Sequence, residues 1–106
     1  MLDETALANR MREEIGQPLK FWFLSFAKGS RDTWRGFICE APGFAHAFHF
    51  ASITGCNPGG EVMGMTIPAE ELPAKEHHNK LFTVEEAEVF WGPMKTTTQW
   101  DQEASR

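Results

Sequence analysis

Cysteine is scarce in this chain. Two residues in 106 are too few for a disulfide framework, so a stapled secreted scaffold is excluded. Nor should Cys39 and Cys56 pair with each other. A helix filling the interval 43–54 spans about 18 Å at 1.5 Å per residue. That exceeds the Cα separation of about 7 Å that a bridge tolerates. Free, mostly buried thiols are expected. Long apolar runs are missing as well, and nothing approaches the ~18 residues of a membrane-spanning helix. The opening MLDETALANRMREE has neither the basic start nor the apolar core of a secretory signal. A cytoplasmic protein follows as the expectation. Tyrosine is absent, and the aromatic content rests on nine Phe and four Trp.

Positive charge is the next shortage. Ten Lys and Arg stand against fifteen Asp and Glu, giving a net charge of −5. Phosphate neutralisation supplies most of non-specific nucleic-acid affinity, so nucleic acid is a poor partner for such a chain. Lys28, Arg31 and Arg35, with Trp34 between them, make only a small basic spot. The aromatic sheet-face signature of RNA binders is absent, and RGFICE at 35–40 is a fragment of it.

The remaining composition, 42% hydrophobic and 24% charged, is that of a globular protein. A chain this long folds as one domain and buries roughly 60–70% of its unfolded surface. Residues 3–15 read as an amphipathic helix with Leu7, Ala8, Met11 and Ile15 on one stripe. Asp3 is its N-cap, and Gly16 with Pro18 ends it. The stripe is narrow, so this helix (1–16 with its flanks) should rest on the outside of a compact domain spanning 17–91 or on a partner. LKFWFLSFA, 19–27, is a strand apolar on both faces, which places it centrally in a sheet covered on both sides. KGSRDT is a turn, and WRGFICEA, 34–41, closes an antiparallel hairpin.

After Pro42, residues 43–54 take helical spacing. Phe44, Ala47, Phe48 and Ala51 form the stripe that should lie on the sheet. The opposite side holds His46, His49, Phe50 and Ile53, where a solvated helix face would carry Lys or Glu. Something else should cover it, either a partner or the N-terminal helix folded over it within one chain. GCNPGGE, 55–61, then comes as helix followed by glycines. A phosphate loop needs strand, glycines, helix, because anions favour the helix N-terminus. The segment is therefore mainly a corner: Gly55 ends the helix in the left-handed conformation, and a proline follows. The doubled Gly59-Gly60 implies a tight bend or a close backbone approach.

EVMGMTIP, 61–68, is a third strand, with Met63, Met65 and Ile67 on one face and Val62, Gly64 and Thr66 on the other. Gly64 leaves a notch for an aromatic ring. Residues 68–82 look like a long surface crossing. Thr83 and Glu86 have capping-box spacing at the head of a short acidic helix, 83–91, while 92–106 reads as a loose tail with Trp100 as its one candidate anchor. The order α-β-β-α-β-α gives an α+β two-layer sandwich, a small antiparallel sheet with one main helix packed on a face. A fourth strand from a two-fold partner would complete that sheet.

Candidate chemistry is sparse. His46 and His49, at i and i+3, could share a metal ion with His77, His78 or Cys56, but no HExxH or CxxC stands behind them, and no metal or other cofactor is expected. Cys39 reads as core. Cys56 follows a helix C-terminus, which disfavours a thiolate. Glu40 and Glu61 flank the central helix as ordinary strand-end carboxylates.

Read in order, FWFLSFA, RGFICEAPGFAHAFHFASITGCNPGGEVMGMTIP and NKLFTVEEAE resemble small bacterial and phage-encoded proteins with a β-β-α-β core and an Asn-Pro-Gly-Gly-Glu turn. That likeness implies a phage- or mobile-element-related protein. More distantly, the hairpin-plus-helix layout is similar to HicB-type antitoxins, which neutralise a small RNase by binding it. The Gly-Asp-Thr lead into that family's helix is replaced here by EAPGFAH, 40–46, so no functional residue carries over. The expected function is a non-enzymatic protein-interaction module that also self-associates as a homodimer. Its expected surface is His46, His49, Phe50 and Ile53 with Leu7 and Met11 of the first helix. The alternative is a small-ligand-binding protein or minor enzyme with a pocket near Gly59, Gly60 and Glu61, lined by Trp22 or Trp34.

Overall fold

The computed structural model describes residues 3–92. Helix α1 (Glu4–Glu14) begins where the Asp3 carboxylate accepts the Ala6 N–H at 2.7 Å. Strands β1 (Lys20–Ala27) and β2 (Arg35–Ala41) form the antiparallel hairpin. Helix α2 (Phe44–Ile53) follows, then strand β3 (Glu61–Thr66). The crossing contains two 3-10 turns (Ala69–Glu71 and Lys75–His77) and a short strand β4 (Leu81–Phe82). Helix α3 (Val84–Trp91) closes the described chain, and Thr83 and Glu86 make both bonds of its capping box, at 2.9 and 3.2 Å. The expectation of a loose tail and of a Trp100 anchor concerns residues 93–106, which lie outside the described residues.

The fold is α+β, as expected: among the described residues, a four-stranded antiparallel sheet ordered β3-β1-β2-β4 with helices against it. The central place of β1 follows from its two apolar faces. Leu24 and Phe26 join Phe37, Cys39 and Ala41 under Ala47 and Ala51 of α2. Phe23 joins Ile38 and Phe82 under Val84 and Ala87 of α3. Burial of this kind, roughly 1.5–3 kcal/mol per large side chain, dominates the stability. The short helix α3 therefore provides a second cover beyond the one main helix anticipated.

Two local expectations are corrected. The crossing over 68–82 is not all surface loop, because Leu81 and Phe82 pair with Phe37 and Gly36. The fourth strand thus comes from the same chain, on the β2 side. Pairing there is allowed by Gly36, where a β-carbon would collide with the Phe82 ring. The second correction concerns Phe50, expected on the outer side of α2. It is half-buried and its ring lies 6.1 Å from that of Phe37. At 100° per residue Phe50 sits only about 60° from Ala47, so its long side chain reaches round to the sheet, which β4 has widened on that side.

Candidate functional site

Antiparallel pairing determines what each sheet edge presents. The Ile67 N–H donates to the Phe21 carbonyl at 2.9 Å, in register with the Trp22↔Thr66 and Phe23↔Met65 pairs. Hydrogen-bonded and non-hydrogen-bonded pairs alternate along such a ladder. Met63 and Met65 therefore point their backbone groups at β1, while Val62, Gly64 and Thr66 point theirs away from it. Among the described residues no strand takes up that outer edge. The register with β1 is unbroken from Trp22↔Thr66 to Ala27↔Glu61, so no bulge twists the edge aside. Neither Lys nor Pro lies within EVMGMT, and its one charge is Glu61 at the end. Protective devices common on free edges are missing here.

The surface expected from the sequence lies on α1 and α2, which pack against each other, and is only partly assembled. Leu7 and Met11 of α1 are half-buried. His46 is engaged within the chain: the Glu14 carboxylate accepts the Ala45 N–H at 2.9 Å, the His46 N–H at 3.0 Å and the His46 Nδ1–H at 2.8 Å. Because a carboxylate only accepts, Nδ1 is the protonated nitrogen. Burial pushes the Glu14 carboxyl up, but the His46 side chain, the two backbone donors and the His46 charge outweigh it and hold the group below the usual carboxylate range. Helix α2 has Gly43 at its N-cap and no side-chain cap of its own; Glu14 supplies one from 31 positions away. His49 is half-buried, and Ile53 is 66% exposed. His46, His49, Phe50 and Ile53 are thus not one open face. Sequence reasoning missed Glu14, although the lack of a Ser, Thr, Asp or Asn before Phe44 was a signal that the cap comes from elsewhere.

The Gly59-Gly60 segment is self-satisfied. The Asn57 side chain accepts from the Gly59 N–H at 3.0 Å and donates to Ser52 Oγ at 3.0 Å, and Lys28 Nζ donates to the Pro58 carbonyl at 2.9 Å. Gly60 has φ 84°, and a β-carbon there would collide with the Ala27 carbonyl, which explains the doubled glycine. Glu61 is exposed. Trp34 is no pocket wall: it is 5% exposed, packs on Phe23 and Phe82, and donates its indole N–H to Ser25 Oγ at 2.7 Å. Trp22 lies on the other face of the sheet, against Phe44. The two tryptophans cannot line one site, because alternation along the strands sends them to opposite sides.

A groove does occur elsewhere. Strand β4 is two residues long against seven in β2, and past its end a space of about 390 Å³ is lined by Phe21, Glu40, Phe50, Lys75, His78 and Asn79. His78 Nε2 lies 3.0 Å from the Pro73 carbonyl, so this nitrogen carries the proton. Asn79 has φ 62° and gives its N–H to the Ile38 carbonyl at 2.8 Å.

Metal and thiol chemistry find little footing. Among the described residues no group of three or more His, Cys, Asp or Glu is placed to hold an ion. The His77 ring lies tilted against Phe90, centroids 4.6 Å apart, and the His78 ring meets Phe21 edge-on at 5.5 Å. Both cysteines are free, and burial pushes the Cys39 thiol up to about 12, far from a reactive thiolate. Among the described residues no helix is long and apolar enough to cross a membrane. Comparison with known protein families, with curated proteins and with solved structures finds no match.

Proposed function

We propose that this chain is a small cytoplasmic protein-interaction module that associates with a second copy of itself, and that it is not an enzyme. The observation that carries this reading is the outer edge of β3, which no strand among the described residues covers and which has no Lys, Pro or bulge. The half-covered α1, with Leu7 and Met11, and the exposed Ile53 at the end of α2 support the same reading. Free thiols and an acidic composition support a cytoplasmic setting. Sedimentation velocity across a range of concentrations tests it: a shift from the 12.0 kDa monomer toward twice that mass is expected, and a single monomeric species throughout would refute self-association.

A second reading rests on the groove beside Glu40, Lys75 and His78. Its volume falls at the lower end of small-molecule sites, and two Phe rings face a few polar groups. A small-ligand-binding role there is tested by thermal shift against nucleotides, metabolites and Zn²⁺, and reproducible stabilisation by one ligand class would favour it.

A further inference from the structure

We infer that the second copy docks by β3-to-β3 pairing, antiparallel about a two-fold axis that passes beside Gly64 perpendicular to the sheet. This rests on the self-association reading and specifies its contact. Residues opposite one another in an antiparallel pair share a face. A two-fold axis perpendicular to the sheet keeps each face on its own side. Val62, Gly64 and Thr66, whose backbone groups point outward, must therefore face members of the same set.

Few registers satisfy that condition. Centring on Met63 pairs Val62 with the partner's Gly64 but sets Thr66 against the partner's Gly60, already in the turn. Centring on Met65 sets Val62 against the partner's Pro68, which has no N–H to give. Only the Gly64-centred register uses all three outward residues of each strand. Val62 meets the partner's Thr66, Gly64 meets the partner's Gly64, and Thr66 meets the partner's Val62, each pair exchanging two hydrogen bonds.

Side chains fit the same register. On the α2 face a β-branched pair, Val62 with the partner's Thr66, flanks the axis on either side. On the α3 face Met63 lies opposite the partner's Met65. Glu61 faces the partner's Ile67, so the strand's one charge never meets its own copy. At the axis itself there is no side chain. The Phe44 ring already covers Gly64, where a β-carbon would collide with it. The notch is thus filled by a helix of the same chain, and no described strand takes the backbone edge beside it. A six-residue edge is a contact at the low end of interface sizes, so the dimer should form with rising concentration rather than be permanent.

The test combines sedimentation velocity from roughly 10 µM to about 1 mM with amide exchange read by NMR on the full chain. Expected is dimer formation, accompanied by slowing of the Val62, Gly64 and Thr66 amides as concentration rises, with Met63 and Met65 protected throughout. Val62→Pro and Thr66→Pro each remove an outward N–H without touching the β1 ladder, a position where an edge strand tolerates proline. Each deletes a donor on both copies and should weaken the dimer by roughly tenfold or more. Thr66→Lys leaves the backbone intact and sets a charge against the partner's Val62. It should weaken the dimer as well, and it replaces the proline variants as the test if they unfold. A dimer that survives these substitutions, with no slowing at 62, 64 and 66, overturns the β3 pairing and leaves self-association standing. A monomer at every concentration overturns both, and amides at 62, 64 and 66 protected even when dilute would assign the edge to another segment of the same chain.

Discussion

The two edges of this sheet are treated differently. On the β2 side the chain returns after the 3-10 turns, lays Leu81 and Phe82 along the strand, and caps its end with the Asn79 N–H on the Ile38 carbonyl. On the β3 side Val62, Gly64 and Thr66 turn their backbone groups outward and no described strand follows. The difference shows how little chain is needed to occupy part of an edge: two residues pair where a glycine lets a ring pack onto the sheet. Routing produces it. After Ile67 the chain leaves β3 and crosses the α3 face, where the Glu71 carbonyl accepts the Trp91 indole N–H at 2.7 Å, and it arrives at the far edge instead.

The sharpest way to break the comparison is Phe82→Ala. Phe82 is 1% exposed and touches Phe23, Trp34, Phe90 and Trp91, so truncation should cost about 3–5 kcal/mol in urea unfolding. Met63→Ala, on the bare edge and half-buried, should cost roughly 1 kcal/mol. Equal losses would mean that the two edges are not energetically distinct. Next in size is Gly36→Ala, which forces a β-carbon against Phe82 and Phe23 and should destabilise by about 1–3 kcal/mol.

Glu14→Gln probes the helical layer where α1 meets the start of α2. It weakens the cap of α2 and should cost about 1 kcal/mol by thermal or urea unfolding. The wild-type protein should show the matching pH dependence. The folded carboxyl titrates below its unfolded value, so its contribution is fully present above about pH 4.3 and is lost as pH falls through the lower folded pKa. Glu14→Gln should flatten that acid limb; an unchanged limb would show that other carboxylates produce it. Smallest is Arg31→Ala. Its exposed pair with Glu88 at 2.7 Å ties the hairpin loop to α3 and should be worth about 0–1 kcal/mol.

Much of the fold was legible because its signals are local. The two-sided apolar pattern of FWFLSFA announced a central strand, and the Thr83–Glu86 spacing announced a capped helix. Gly55, with φ 78°, ended α2 as its position implied. Leu81 and Phe82 were hidden because a two-residue strand has no period to detect. Phe50 escaped the pattern because angular position on a helix ignores the reach of a ring. Of the candidate site, the strand EVMGMT and its two faces were readable, but which of its edges stays open was not.

Periodicity, glycine and proline punctuation and capping spacings determined the elements and the α+β class, since each is an interaction among residues a few positions apart. Tertiary structure alone decided that β4 pairs with part of the β2 edge, that Glu14 caps a distant helix, and that no described strand covers β3. Those outcomes depend on which remote segments meet, and strand pairing between them is made by backbone groups that are nearly the same in every residue.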